Sequence, residues 1–211
     1  MFDAGFLPEG EIFLEAGIEH QAMALALPIP WETQSDVPRP TVRQEAAPEA
    51  AESAELKHHD GEGDMISGLI TLLETATRHV RIYSQELDHT IFDRSDVIDA
   101  LSAFVRSGPP ARLQVLIHSS SSIVSRGHQL LSLARRLDSK IEIRTVPGEL
   151  ATDQHTTAII DEQGYLLQPD HREYQAQGNV FDPVVANRLL ERFDYLWDRS
   201  QTDPELRVLR L

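Results

Sequence analysis

Cysteine is absent from the 211 residues, which excludes disulfides and thiolate metal sites and fits a reducing, cytoplasmic setting. No apolar run approaches the roughly 18 residues that a membrane-spanning helix needs. The opening Met1-Phe2-Asp3-Ala4 lacks the basic-then-apolar order of a secretory leader. No membrane is therefore expected as a partner. Basic residues are scarce as well: 19 Lys and Arg stand against 34 Asp and Glu, a formal charge of −15. The imbalance is local. Residues 1–64 carry 14 acids and 3 bases, whereas the remainder carries 20 acids and 16 bases. Phosphates are repelled by so acidic a segment, so nucleic acid is not expected as a partner, although the nearly balanced remainder leaves room for a local basic patch.

What is present is enough for one proper core, since 41% of the residues are hydrophobic. Residues 28–63 read as a Pro/Ala/Glu-rich acidic linker, broken by prolines at 28, 30, 38, 40 and 48. A short helix over Ala50–Lys57 would lack an apolar face, and the adjacent His58 and His59 have no third ligand in sight, so no metal site is expected.

From residue 64 onward the pattern is regular. Met65, Ile66, Leu69, Ile70 and Leu73 recur at helical spacing behind Asp64 as a cap. Val80–Ser84 alternates like a strand. Asp96–Arg106 reads as a helix capped by Ser95 and ended by Gly108-Pro109-Pro110. Leu113–Ile117 is an apolar strand, Ser122–Leu137 a third helix, and Ile141–Val146 another strand. Thr156–Asp161 and Tyr165–Leu167 flank Glu162-Gln163-Gly164, a hairpin turn in which Gly164 supplies positive φ. Asp182-Pro183 opens a long helix with a stripe of Leu189, Leu190, Phe193, Leu196 and Trp197, and Asp203-Pro204 repeats that start signal. The expected fold is α/β, a mixed sheet covered by helices.

That order of elements resembles one repeat of the phospholipase D superfamily, over about Met65 to Ser200. His155-Thr156-Thr157-Ala158-Ile159-Ile160-Asp161 is similar to the family's histidine strand, and Phe181-Asp182-Pro183 with Phe193-Asp194-Tyr195-Leu196-Trp197 resembles the helix that closes each repeat. The family's chemistry uses His-x-Lys with an aspartate four residues later: the histidine attacks phosphorus, and the lysine and a later asparagine stabilise the phosphate oxygens. Here Thr157 stands at the lysine position, Asp161 comes one place early with Glu162 on the expected spacing, and Gln168-Pro169-Asp170-His171 stands where Gly-Ser-x-Asn belongs. Losing the cation and the asparagine removes several kcal/mol of transition-state stabilisation. His155 is thus expected to be a remnant, and no catalytic residue is assigned. The divergent alternative is a phosphodiesterase using His155.

Ile82-Tyr83-Ser84-Gln85-Glu86-Leu87-Asp88 with Arg126-Gly127-His128-Gln129-Leu130-Leu131 is also similar to an uncharacterised bacterial domain attached to acetyltransferases. In front of it, Gly5-Phe6 and Gly17-Ile18-Glu19-His20-Gln21-Ala22-Met23 resemble the last two strands of a GNAT-family N-acetyltransferase. The acetyl-CoA loop of that family has no counterpart in the chain. The resemblance implies a C-terminal acetyltransferase fragment over residues 1–27, the linker over 28–63 and a phospholipase D-like domain over 64–211. It implies acetyl-CoA for a full-length relative only, and no cofactor for this chain.

Ligands of open α/β sheets gather beyond the carboxyl ends of the strands. Gln85 and Asp88 follow the first strand, His118 follows the second, and Arg126 and His128 lie along the next helix, whose N-terminus behind Ser119–Ser122 is a candidate anion site. These five residues are the candidate ligand-binding set. The ordinary structural reading is that Asp88 caps a turn and Ser120 to Ser122 cap the helix. Function is expected to be that of a non-catalytic accessory domain, with a homodimer or an acetyltransferase domain in cis or in trans as expected partners. The alternative class is a small-ligand sensor using Gln85, Asp88 and His118.

Overall fold

The computed structural model describes residues 55–207 and, before them, four short strands alone. Those strands are β1 (Phe6–Pro8), β2 (Phe13–Glu15), β3 (Ile18–His20) and β4 (Met23–Leu25); β1 pairs antiparallel with β4 and β2 with β3. They belong to a separate unit, Met1–Pro40. The proline-rich segment expected as a linker lies outside the described residues up to position 54.

The first described strand of the second unit, Thr41–Leu211, is β5 (Lys57–Asp60), an edge strand antiparallel to a later strand, where the sequence suggested polar linker. The helix α1 (Glu62–Glu74) comes next. Its Met65, Ile66, Leu69, Leu72 and Leu73 are buried, each burial stabilising by about 2 kcal/mol. Gly61, not Asp64, is the N-cap; Asp64 sits in the first turn and accepts the Asp60 N–H at 3.1 Å. After β6 (His79–Ser84) come the single turn α2 (His89–Phe92) and α3 (Ser95–Arg106). Arg94, not Ser95, occupies the N-cap of α3.

Next are β7 (Arg112–Ile117), α4 (Ser121–Ser125), α5 (Gln129–Arg136) and β8 (Ile141–Thr145). The single helix expected over Ser122–Leu137 is thus two. Gly127 breaks it with φ of 77°, a left-handed conformation that glycine adopts without a Cβ penalty. The chain returns through β9 (Thr156–Ile160), β10 (Gly164–Gln168) and β11 (Gln175–Asn179), then α6 (Pro183–Trp197) and α7 (Pro204–Arg207). Asp182 caps α6 by accepting the Val185 N–H at 3.0 Å, with Pro183 in the first turn.

Seven strands form one mixed sheet in the order β5-β11-β10-β9-β6-β7-β8. β6, β7 and β8 are parallel, and β9, β10, β11 and β5 join antiparallel. Side chains alternate between its faces. Val80, Ile82, Leu113, Val115, Ile117, Ala158 and Ile160 pack in one cluster with residues of α1, α3 and α5. Tyr83, Leu116, Ile159 and Leu167 point the other way, toward the buried Leu189, Phe193 and Leu196 of α6.

The β9–β10 turn differs from expectation. Positive φ falls on Asp161 (48°) and Glu162 (62°), not on Gly164. Gly164 is required for space, because a Cβ there would lie 2.8 Å from Leu72 Cδ1 and 2.9 Å from the Val180 carbonyl oxygen. The Asp161 carboxylate accepts the N–H groups of Thr77, Arg78 and His79 and the Thr77 hydroxyl, at 2.6–2.8 Å. These bonds hold its acid below the ordinary carboxylate range against the opposing effect of burial. The family-like aspartate is therefore a staple between the hairpin and the α1–β6 junction. At roughly 3.3 Å per residue it lies about 20 Å along the strand from His155.

Candidate functional site

The carboxyl ends of β6 and β7 and the entry to β9 meet at one end of the sheet. On the face of α6, Tyr83 stacks on His155, with ring centroids 4.7 Å apart and planes at 27°. The Tyr83 hydroxyl is hydrogen-bonded to His118 Nε2, and the two rings meet edge to face at 5.3 Å. Asp153 lies two residues before His155 and accepts Arg192 Nε and Nη2 at 3.1 and 2.9 Å. The Arg192 guanidinium descends from α6, and the Asp153 and Arg192 side chains are 2% and 11% exposed.

These surroundings set the protonation states. Burial, reinforced by the positive Arg192 and by His118, pushes His155 down to about 3. Burial also lowers His118 against the pull of Asp153, and burial and Asp153 together raise the Tyr83 phenol. At neutral pH the cluster therefore holds a neutral tyrosine, two neutral imidazoles and one ion pair. Thr157 does not replace the lysine of a phospholipase D site. It is 2% exposed, and its hydroxyl donates to the Leu166 carbonyl at 3.0 Å.

Beside this cluster opens a cleft of about 330 Å³, lined by Gln85, Glu86, Asp88, Arg126, Thr156, Gln168 and His171 among others. Of the five candidate ligand residues, Gln85, Asp88 and Arg126 meet there. Asp88 caps α2 by accepting the Thr90 N–H at 2.8 Å and also accepts the Tyr174 hydroxyl at 2.9 Å. Gln85 Nε2 donates to the Asp153 carbonyl at 3.3 Å, and the Gln85 carbonyl accepts the His118 N–H at 2.9 Å, so the cleft wall and the histidine cluster share a loop. His118 belongs to the cluster and not to the cleft lining. His128 is buried behind α2 and lines a different groove.

The anion site expected at the N-terminus of the third helix is not formed. That helix is only the five-residue α4, and the Ser120 hydroxyl donates to Asp203 at 2.5 Å. Asp153 and Arg192 of the buried cluster and His171 of the cleft lining are candidate residues outside the set expected from sequence. Arg192 had a signal, as the one charged residue at helical spacing between Leu189 and Leu196 of the apolar stripe. His171 is placed by the loop after β10, where its N–H donates to the Gln154 carbonyl at 2.9 Å.

The family model for a domain of unknown function (DUF7931) matches residues 62–209. The chain belongs to this family. No curated protein matches the sequence. Among solved structures, the fold is similar to Nuc from Salmonella typhimurium, a phospholipase D family member, with a TM-score of 0.53 and 14% identity over 71% of this chain and 97% of that one. NucT from Helicobacter pylori gives 0.50 and 14% over 71% and 100%. TrmBL2, an archaeal chromatin protein with a described mode of DNA binding, gives 0.53 and 15% over 77% of this chain, which spans 57% of that protein's length. The DUF7931 domain thus has a phospholipase D-like fold.

The expected partners were a second copy or an acetyltransferase domain, with nucleic acid and membrane excluded, and the similarity to TrmBL2 corrects the exclusion of nucleic acid. TrmBL2 as a whole binds DNA, and this chain matches 57% of its length, so the exclusion of nucleic acid does not stand. Net charge misled because most of the −15 lies in residues 1–64, before most of the folded domain. Among the described residues, no helix is long and apolar enough to cross a membrane.

Proposed function

We propose that the DUF7931 domain is a non-catalytic phospholipase D-like module that binds a small polar ligand in the cleft of Gln85, Asp88 and Arg126. The observation that carries this reading is Thr157, buried and bonded to a backbone carbonyl at the position where phosphoryl chemistry needs a cation. His155 is itself 2% exposed, sealed under Tyr83. The cleft volume falls within the range of small-molecule sites, and its lining mixes amide, hydroxyl and charged groups. The proposal invokes no cofactor and a cytoplasmic setting. Attachment to a GNAT acetyltransferase is part of the same proposal, supported by Gly5–Met23 alone; an acetyl-CoA loop encoded in frame upstream of Met1 supports it, and an immediate in-frame stop sinks it.

A divergent phosphodiesterase is the second reading. Arg192 favours it, being a cation close enough to His155 to depress its basicity. That cation is already bound to Asp153.

Two measurements separate these readings. Hydrolysis of a bis-nitrophenyl phosphate by homogeneous protein, lost in His155→Ala, establishes the enzyme and overturns the binding module. Thermal shift across metabolites, nucleotides and duplex DNA is expected to give a ligand whose stabilisation disappears in Arg126→Ala. A ligand whose effect survives that substitution places binding elsewhere.

A further inference from the structure

The wall of this cleft is held from behind by a buried histidine. The His128 side chain is 0% exposed, and its Nδ1 accepts the Leu130 N–H at 3.1 Å, making the imidazole the N-cap of α5. A histidine caps in this way only while Nδ1 carries no proton. Several groups face the ring. From α2, His89 meets it edge to face at 5.0 Å, and just beyond α2 the Asp93 Oδ1 lies 3.7 Å from Nδ1. The Leu87 backbone approaches from the turn after β6. Arg135 of α5 and Glu205 of α7 line the same groove as His128, and Arg126 precedes it by two residues. Asp93 is also engaged with α5, its Oδ1 accepting the Gln129 N–H at 2.6 Å.

We propose that His128 is a pH-sensitive catch for the cleft: protonation at Nδ1 removes the α5 cap, turns the imidazolium toward Asp93 and releases the Arg126 and His89 side of the cleft. This rests on the cleft being the binding site. Nδ1 cannot hold a proton and accept one, so the Leu130 bond is lost on protonation. Asp93 Oδ1 already accepts the Gln129 N–H and keeps a lone pair for the new N–H, so the imidazolium is drawn toward Asp93 and away from Leu130. Both bonds hold the first turn of α5, and that turn is joined to α4 through Arg126 and Gly127. The Gly127 carbonyl is in turn hydrogen-bonded to His89 Nε2 at 3.1 Å, and His89 and Arg126 both line the cleft. Burial, with His89 adding and Asp93 opposing, holds His128 below the ordinary histidine value of 6.5. The capped state therefore prevails at neutral pH, and the catch opens on acidification.

The test is hydrogen exchange on the full chain. Between about pH 7 and about pH 5, the Leu130 amide protection factor is expected to fall about tenfold, with the Arg126 resonances shifting in step. His128→Asn caps through its carboxamide oxygen without titrating, and should keep Leu130 protected at both pH values. An unchanged Leu130 protection factor in the unsubstituted chain, or the same fall in His128→Asn, overturns the proposal. Should His128→Asn not fold, the His128 ring carbon shift decides, because a ring that fails to titrate as Leu130 loses protection also overturns it. None of these readouts uses a ligand. A cleft that binds nothing would sink the binding reading and leave this test intact.

Discussion

Lowering the pH from neutral to about 5 is expected to destabilise the folded domain by about 2 kcal/mol through His155 alone. The imidazole is held down to about 3, against 6.5 for an ordinary histidine. A depressed histidine binds fewer protons folded than unfolded. Its contribution is fully present above pH 6.5 and is lost as the pH falls through the interval down to its folded value. Each pH unit inside that interval removes about 1.4 kcal/mol, and 1.5 units separate 6.5 from pH 5. His118 and His128 are lowered in the same direction and add to the loss. The assay is urea unfolding by circular dichroism at several pH values, on the unsubstituted chain and on His155→Gln, which keeps a neutral polar group in the cavity. The gap between the two stabilities should narrow by about 2 kcal/mol between neutral pH and about pH 5. Parallel profiles would refute the reasoning, because they would mean that His155 titrates alike in both states.

The same contacts set three further outcomes. Asp153→Ala leaves the Arg192 guanidinium buried without its carboxylate and should cost roughly 3–5 kcal/mol in urea unfolding, whereas Asp153→Ala with Arg192→Met should recover much of that loss. Gly164→Ala sets a methyl against Leu72 and the Val180 carbonyl and should lower stability by about 1–3 kcal/mol, with the sheet intact by circular dichroism. Thr157→Lys buries an ammonium where a hydroxyl now bonds Leu166; thermal unfolding should show a loss of stability, and bis-nitrophenyl phosphate hydrolysis should stay at background.

Much of the fold was legible because most elements announce themselves. α6 had both its Asp-Pro start and its apolar stripe, and β7 is an unbroken apolar run. β11 was not legible. Gln175-Ala176-Gln177-Gly178-Asn179 has no apolar alternation, and it is a strand because β10 on one side and β5 on the other satisfy its backbone. The split of α4 from α5 was written in Gly127, but a glycine inside a helical pattern is ambiguous until His128 is seen to cap α5. At the site, Gln85, Asp88 and Arg126 were reachable from the rule that ligands gather past strand ends. The Asp153–Arg192 pair was not, because its members stand 39 positions apart and only the packing of α6 on the sheet unites them.

The strand Lys57–Asp60 has a practical consequence for anyone dividing this protein. It lies before the family match, which begins at residue 62. It is the outermost strand of the sheet, with Lys57, His58 and Asp60 exposed. Such charged, solvated residues are how a sheet margin discourages further strands from joining. A fragment cut at residue 62 would strip away that guard and bare the polar backbone of Gln175–Asn179 along its length. Two such fragments would then meet margin to margin, and self-association would come from where the gene was cut rather than from anything the intact domain does.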